Sequence, residues 1–118
     1  MIRQRLGETQ RDLGHIDKAL ASLREAVAVD PTNASAWNAL GMTLGGNGQL
    51  DEAEKAFRAA IERDTTDHRY FFNLGLALVR QGRGREARPY FEKTLQLAPG
   101  FAAAREELQK LPADRTGQ

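Results

Sequence analysis

The chain has 118 residues, 17 Lys and Arg, 16 Asp and Glu, and no cysteine. That length fits one compact domain or a short repeat array, and a formal net charge of +1 gives no global attraction to nucleic acid or to a membrane surface. The missing thiols exclude disulfides, thiolate zinc sites, Fe–S clusters and cysteine nucleophiles, and no apolar run reaches the ~20 residues of a membrane-spanning helix.

Eighteen alanines and 14 leucines stand against six Val and Ile, so helix formers dominate and a sheet lacks its usual material. The N-terminal Met1-Ile2-Arg3-Gln4-Arg5 has no apolar stretch behind its charges and does not read as a secretory signal. A soluble protein is expected; the sequence does not name its compartment, and the cytoplasm is favoured. The first predicted helix covers 2–13 and carries Leu6-Gly7, with Gly14 behind it. The second covers 17–29, with Ala19, Leu23 and Ala26 on one face and Pro31 after it. The third and fourth, 34–47 and 51–63, repeat this order as Leu40-Gly41, Gly48, Ala53, Phe57 and Ala60, with Thr65 in place of the proline. The fifth and sixth, 68–81 and 86–97, repeat it as Leu74-Gly75, Gly82, Ala87, Phe91, Thr94 and Pro99. The spacing of the equivalent residues is 34 throughout, without an insertion.

Local signals agree with these spans. Asn33 and Asp67 stand at N-cap positions, and Asp51 with Glu54 reads as a capping box. Gly14, Gly48 and Gly82 suit the left-handed position after a helix end. Gly7, Gly41 and Gly75 lie inside helices, where glycine costs ~1 kcal/mol against alanine, so close approach of the partner helix is expected there. Pro89, early in the sixth helix, should delay its start or distort its first turn. Trp37, Leu40, Ala53, Phe57, Ala60, Leu74, Leu78, Ala87 and Phe91 should be among the most buried residues. Residues 101–111 continue the register and end at Pro112, which reads as a capping helix followed by a flexible tail, 112–118.

This 34-residue pattern resembles the tetratricopeptide repeat family, most clearly in Trp37, Leu40, Gly41, Leu44, Gly48, Ala53, Phe57 and Ala60. Arg3 and Gln10 depart from it, standing where the other copies have Trp37 and Phe71, Leu44 and Leu78. The resemblance implies an all-α solenoid, a right-handed superhelix of antiparallel helix pairs, over residues 1–111. Its repeats are about 1–33, 34–67 and 68–101, and its capping helix is 101–111. It also implies a concave wall, built from the first helix of each pair, that takes a peptide segment of a partner protein.

Other chemistry is thin. Gly82-Arg83-Gly84-Arg85-Glu86-Ala87 fits a dinucleotide fingerprint as a string, but a helix precedes it where a strand is required. Gly45-Gly46-Asn47-Gly48 lacks the Lys-Ser/Thr of a phosphate loop and reads as a loose helix end. His15 and His68 read as exposed turn residues without metal-ligand spacing. No nucleophile has a nearby acid–base partner, so no enzyme, cofactor or metal is expected. Arg80, Arg83, Arg85 and Arg88 crowd one turn, either as an anion-binding cluster or, the reading preferred, as a solvated turn. Nucleic acid is not expected, because aromatic platforms do not interleave with these arginines.

On the wall the resemblance places Met1, Gln4, Arg5, Glu8, Arg11 and Asp12 in the first copy. It places Ser35, Asn38, Ala39, Met42, Gly45 and Gly46 in the second, and Arg69, Phe72, Asn73, Leu76, Val79 and Arg80 in the third. The chaperone-tail subtype of the family uses Lys and Asn where this chain has Gln4 and Glu8, Asn where it has Ala39, and Lys and Arg where it has Arg69 and Asn73. That reading is set aside. The expected site is a groove of Asn38, Met42, Arg69, Phe72, Asn73, Leu76 and Arg80. It would hold a peptide with one or two apolar anchors and at least one acidic residue. The module is read as a non-enzymatic protein–protein interaction unit. The alternative is a regulatory or substrate-docking region of a larger enzyme such as a glycosyltransferase or sulfotransferase. Self-association through the first helix is a third, weaker reading.

Overall fold

A computed structural model describes residues 15–111. Among the described residues every element is helical: α1 (Ile16–Val29), α2 (Ala34–Gly46), α3 (Leu50–Arg63), α4 (His68–Arg80), α5 (Gly84–Leu97) and α6 (Ala102–Lys110). Consecutive helices pack on one another along the chain, and α2 also touches α4. The result is a stack of antiparallel pairs, not a single bundle. The expected helix 2–13 with Leu6, Gly7 and Gly14, and the expected tail 112–118, lie outside the described residues.

The pairs close on a core of Leu40, Leu44, Ala53, Phe57, Ala60, Leu74, Leu78, Ala87 and Phe91, all buried. Two glycines make this packing possible. A Cβ on Gly41 would lie 2.6 Å from Cε1 of Phe57, and one on Gly75 would lie 2.6 Å from Cε1 of Phe91. The aromatic ring of each second helix therefore occupies the space that a side chain on the first helix would need. Trp37 differs from expectation, being only half-buried. Its indole N–H donates to the Pro31 carbonyl at 2.9 Å, and the Arg63 guanidinium covers its ring at 5.3 Å. A large ring with a polar edge is satisfied at the surface in this way.

Local chemistry fixes the helix ends. Asn33 accepts from the Ala36 N–H at 3.2 Å, and Asp67 accepts from the Arg69 N–H at 3.0 Å. Gly48 and Gly82 have φ of 80° and 78°. In each case the next N–H reaches back to close a Schellman turn: Gln49 to the Leu44 carbonyl at 2.9 Å and Arg83 to the Leu78 carbonyl at 2.8 Å. The Gly45–Gly48 segment is thus a well-defined stop, not a loose end. The capping box at Asp51 and Glu54 is absent. Helix α3 starts at Leu50 after Gln49, with no side-chain cap, and Glu54 is engaged elsewhere. Helix α5 starts at Gly84 and runs unbroken through Pro89, so the proline does not delay it. Arg85 and Pro89 are both exposed, so water can serve the Arg85 carbonyl that the proline leaves without an N–H.

Candidate functional site

Because α2 and α4 are capped at equivalent positions, by Asn33 and Asp67, and end at equivalent glycine stops, both are 13 residues long and hold the same register. Positions one residue off the 34-residue register therefore face one another across their seam. Two hydrogen bonds cross it. The Asn73 amide donates to Oδ1 of Asn38 at 2.9 Å, and Arg80 Nη1 donates to the Gly45 carbonyl at 3.2 Å. Met42 and Leu76 lie between these bridges, one helical turn on from Asn38 and Asn73. Met42 is 50% exposed, with its sulfur 3.5 Å from the Asn38 amide nitrogen. Phe72, Leu76 and Val79 are half-buried and rest on the core.

The expected site residues thus come together, with three differences in detail. Asn38 and Asn73 bond to each other and do not both stand free for a ligand. Arg69 is engaged by its own helix cap: its Nη2 meets Asp67 Oδ2 at 2.6 Å and its Nε meets Oδ1 at 2.9 Å. The Arg69 hydrogen bond holds the Asp67 carboxyl below the usual carboxylate range, although burial opposes it. Phe72 is partly structural, its ring centroid 5.7 Å from that of Phe91 and 5.1 Å from that of Phe101. The wall positions Met1, Gln4, Arg5, Glu8, Arg11 and Asp12 lie outside the described residues.

Two participants were not foreseen. Phe101 packs edge-on against Phe72 at 5.1 Å, and His68 is half-buried against Phe101, ring centroids 4.9 Å apart. His68 is therefore not an exposed turn residue. A signal for Phe101 existed, since the 34-residue register aligns it with the capping residues Asn33 and Asp67, where an aromatic is out of place.

The arginine-rich turn does not act as one cluster. Arg83 is held by Glu54 at 2.8 Å and Glu86 at 2.7 Å, and Arg80 turns to the α2 seam. An open depression at the turns is lined by Gly48, Gln49, Asp51, Glu52 and Gln81. Its Glu52 is paired with Arg24 at 2.9 Å. Among the described residues no group of three or more His, Asp or Glu is placed to hold a metal, and no helix is long and apolar enough to cross a membrane.

No curated protein sequence matches this chain. Among solved structures, that of MamA is 31% identical with a TM-score of 0.80, over 88% of this chain and 61% of the other. This chain thus spans about three fifths of that relative. The second TPR domain of human RPAP3, in complex with the HSP70 peptide SGPTIEEVD, is 29% identical with a TM-score of 0.82, over 91% and 89%. YrrB, described as a TPR protein with an unusual peptide-binding site, is 27% identical with a TM-score of 0.80, over 88% and 54%. The tetratricopeptide repeat model matches residues 5–68 and 38–102. The matched stretches cover most of the sequence in the 34-residue register of the helix pairs and their glycine-dependent packing, and the chain belongs to the tetratricopeptide repeat family.

Proposed function

We propose that this chain is a non-enzymatic interaction module that holds a peptide segment of a partner protein on the α2–α4 wall. The observation that carries this reading is Met42. It is an apolar side chain left half-exposed between two hydrogen-bonded bridges, on a surface that folding does not require to be apolar. Its thioether adapts to varied apolar groups. Leu76 and Phe72 continue the strip, and Oδ1 of Asn73 can accept from a peptide N–H. The peptide complex of the RPAP3 domain and the peptide-binding site of YrrB support the reading by likeness. The chaperone tail itself is not proposed as the partner. At the relevant wall positions this chain has Ala39, Asn73 and an Arg69 already neutralised by Asp67.

The test uses peptides selected on the 118-residue chain from a phage-displayed library of random dodecapeptides. Met42→Lys should cut their affinity by about tenfold or more and leave the melting temperature almost unchanged, because the side chain is half in water. Phe72→Ala together with Leu76→Ala should also abolish capture. Because Phe72 meets two other rings, that variant should also lower the melting temperature, which makes Met42→Lys the cleaner probe. Selected peptides that bind Met42→Lys as well as the parent would place the site elsewhere.

A further inference from the structure

We propose that the segment bound in the groove carries an acidic side chain, and that this carboxylate seats on Arg80 at the Gly45–Gly46 end. This rests on the groove reading above and adds to it the chemistry and the place of the charged contact.

Two cations border the apolar strip, and the structure separates them. Arg69 gives its guanidinium fork to Asp67, a carboxylate with a side chain only 17% exposed. Its charge is met inside the chain. Arg80 meets no carboxylate among the described residues. It spends one N–H on the Gly45 carbonyl, a neutral acceptor that leaves the charge and the remaining donors available. The side chain is exposed and stands four residues after Leu76, on the same helix face. A carboxylate there lies one turn from the apolar anchor. Its place in the last turn of α4 also complements the helix dipole, but a partial charge at an exposed helix end does not cancel a guanidinium.

Charge on the neighbouring helix α6 points the same way. Glu106 of α6 is exposed at the register position equivalent to Phe72, whereas Glu107, equivalent to Asn73, is paired with Lys110 at 3.4 Å; the Glu106 charge repels an acidic ligand residue from that side and favours the α2–α4 seam. The neighbouring backbone leaves room. Gly45 and Gly46 align with Val79 and Arg80. A Cβ on Gly46 would meet nothing within 4 Å, and one on Gly45 would meet its nearest atoms only at 3.8 Å. Unlike Gly41 they are not demanded by packing, and unlike Gly48 they have no positive φ. Their effect is bare main chain beside the guanidinium, where a ligand's backbone can approach closely.

The experiment selects random dodecapeptides on the 118-residue chain and measures affinity against five variants, each checked by thermal melting. The selected pool should be enriched in Asp or Glu close to an apolar residue. Arg80→Gln should weaken a selected peptide by about tenfold or more, and changing the peptide's carboxylate to its amide should then cost nothing further. Arg80→Lys should retain part of the affinity. Arg69→Gln should change it by no more than about twofold. Gly46→Gln should block binding while raising the melting temperature. Absence of acidic enrichment, or a loss on Arg69→Gln equal to that on Arg80→Gln, overturns the assignment of the carboxylate and leaves the groove standing. Binding insensitive to Met42→Lys removes the groove, and this inference falls with it.

Discussion

Gly41 and Phe57 act as one unit, and so do Gly75 and Phe91. In the isolated sequence each glycine is a helix weakness, worth about 1 kcal/mol relative to alanine. In the fold the missing Cβ is what admits the ring, at 2.6 Å from where that Cβ would stand. Gly41→Ala should therefore destabilise, because overpacking costs roughly 1–3 kcal/mol and exceeds the propensity gain. Phe57→Ala should cost ~3–5 kcal/mol. The double variant should cost clearly less than the two losses added, since alanine at 57 removes the atoms that the new methyl strikes. Chemical denaturation of the four proteins measures this. Additive losses would mean that the ring and the glycine do not compete for one space. The sequence showed that a close approach must exist at these glycines, because the repeat keeps them at a cost. It did not show why Trp37 is half-buried, since its cover comes from Arg63, 26 positions away, and its polar edge is met by the Pro31 carbonyl.

At the scale of elements, the helix ends were legible because their causes are local. Asn33, Asp67, Gly48 and Gly82 act within a few residues of themselves. Glu54 was misread for the opposite reason. Its position suggests a cap for α3, but its partners are distant in sequence. It accepts from Gln81 at 3.1 Å, from Arg83 at 2.8 Å and from Arg58 at 2.9 Å, and so ties α3 to the α4–α5 turn. On α1 the same register position holds Leu20, which is buried, and the ion pair Arg24–Glu52 links α1 to α3 instead. Burial pushes the Glu54 carboxyl up, but the donors from Gln81, Arg58 and Arg83 outweigh it and hold the group below its ordinary value of 4.5. A carboxyl depressed in the folded state contributes stability above its unfolded pKa, and that contribution is lost as pH falls through the folded value. The parent should therefore lose stability as pH falls below 4.5. Glu54→Gln should be less stable than the parent at neutral pH and lose less on acidification, because the Glu54 contribution is already gone, and it should still lose some, because Asp67 and Asp64, also held low, remain to titrate. Urea midpoints across that range decide it. Parallel pH profiles for the two proteins would remove Glu54 from the acid response.

For the molecule as a whole, the fold could be read ahead of the site, because a repeat states its packing rule several times and its working surface only once. The period, the core positions and the pairing of helices follow from residues that recur. The proposed groove depends on residues that differ between copies: Met42 against Leu76, Gly45 and Gly46 against Val79 and Arg80, and a phenylalanine at 101 where the other copies carry a cap. A stack of this kind also holds each pair mainly through its neighbours, so damage at one end should stay there. Helix α6 offers the test. Ala104 is fully buried, and Leu108 and Leu111 pack on the core beside it. Leu111 closes over Gly84, where a Cβ would stand 3.0 Å from its Cδ2. Ala104→Glu puts a carboxylate where no partner can reach it, a cost of about 3 kcal/mol or more if the helix stays in place. Releasing α6 avoids that cost, at the loss of the cover that Phe101 gives to Phe72. Hydrogen exchange should then show α6 and the adjoining face of α5 losing protection in Ala104→Glu, with the amides of α2 and α3 nearly as protected as in the parent. Affinity for groove peptides should fall in step with the release of Phe72, although no groove residue has been changed. Equal loss of protection from α2 to α6 would show instead that the stack unfolds as one cooperative unit and that its end helix has no separate equilibrium.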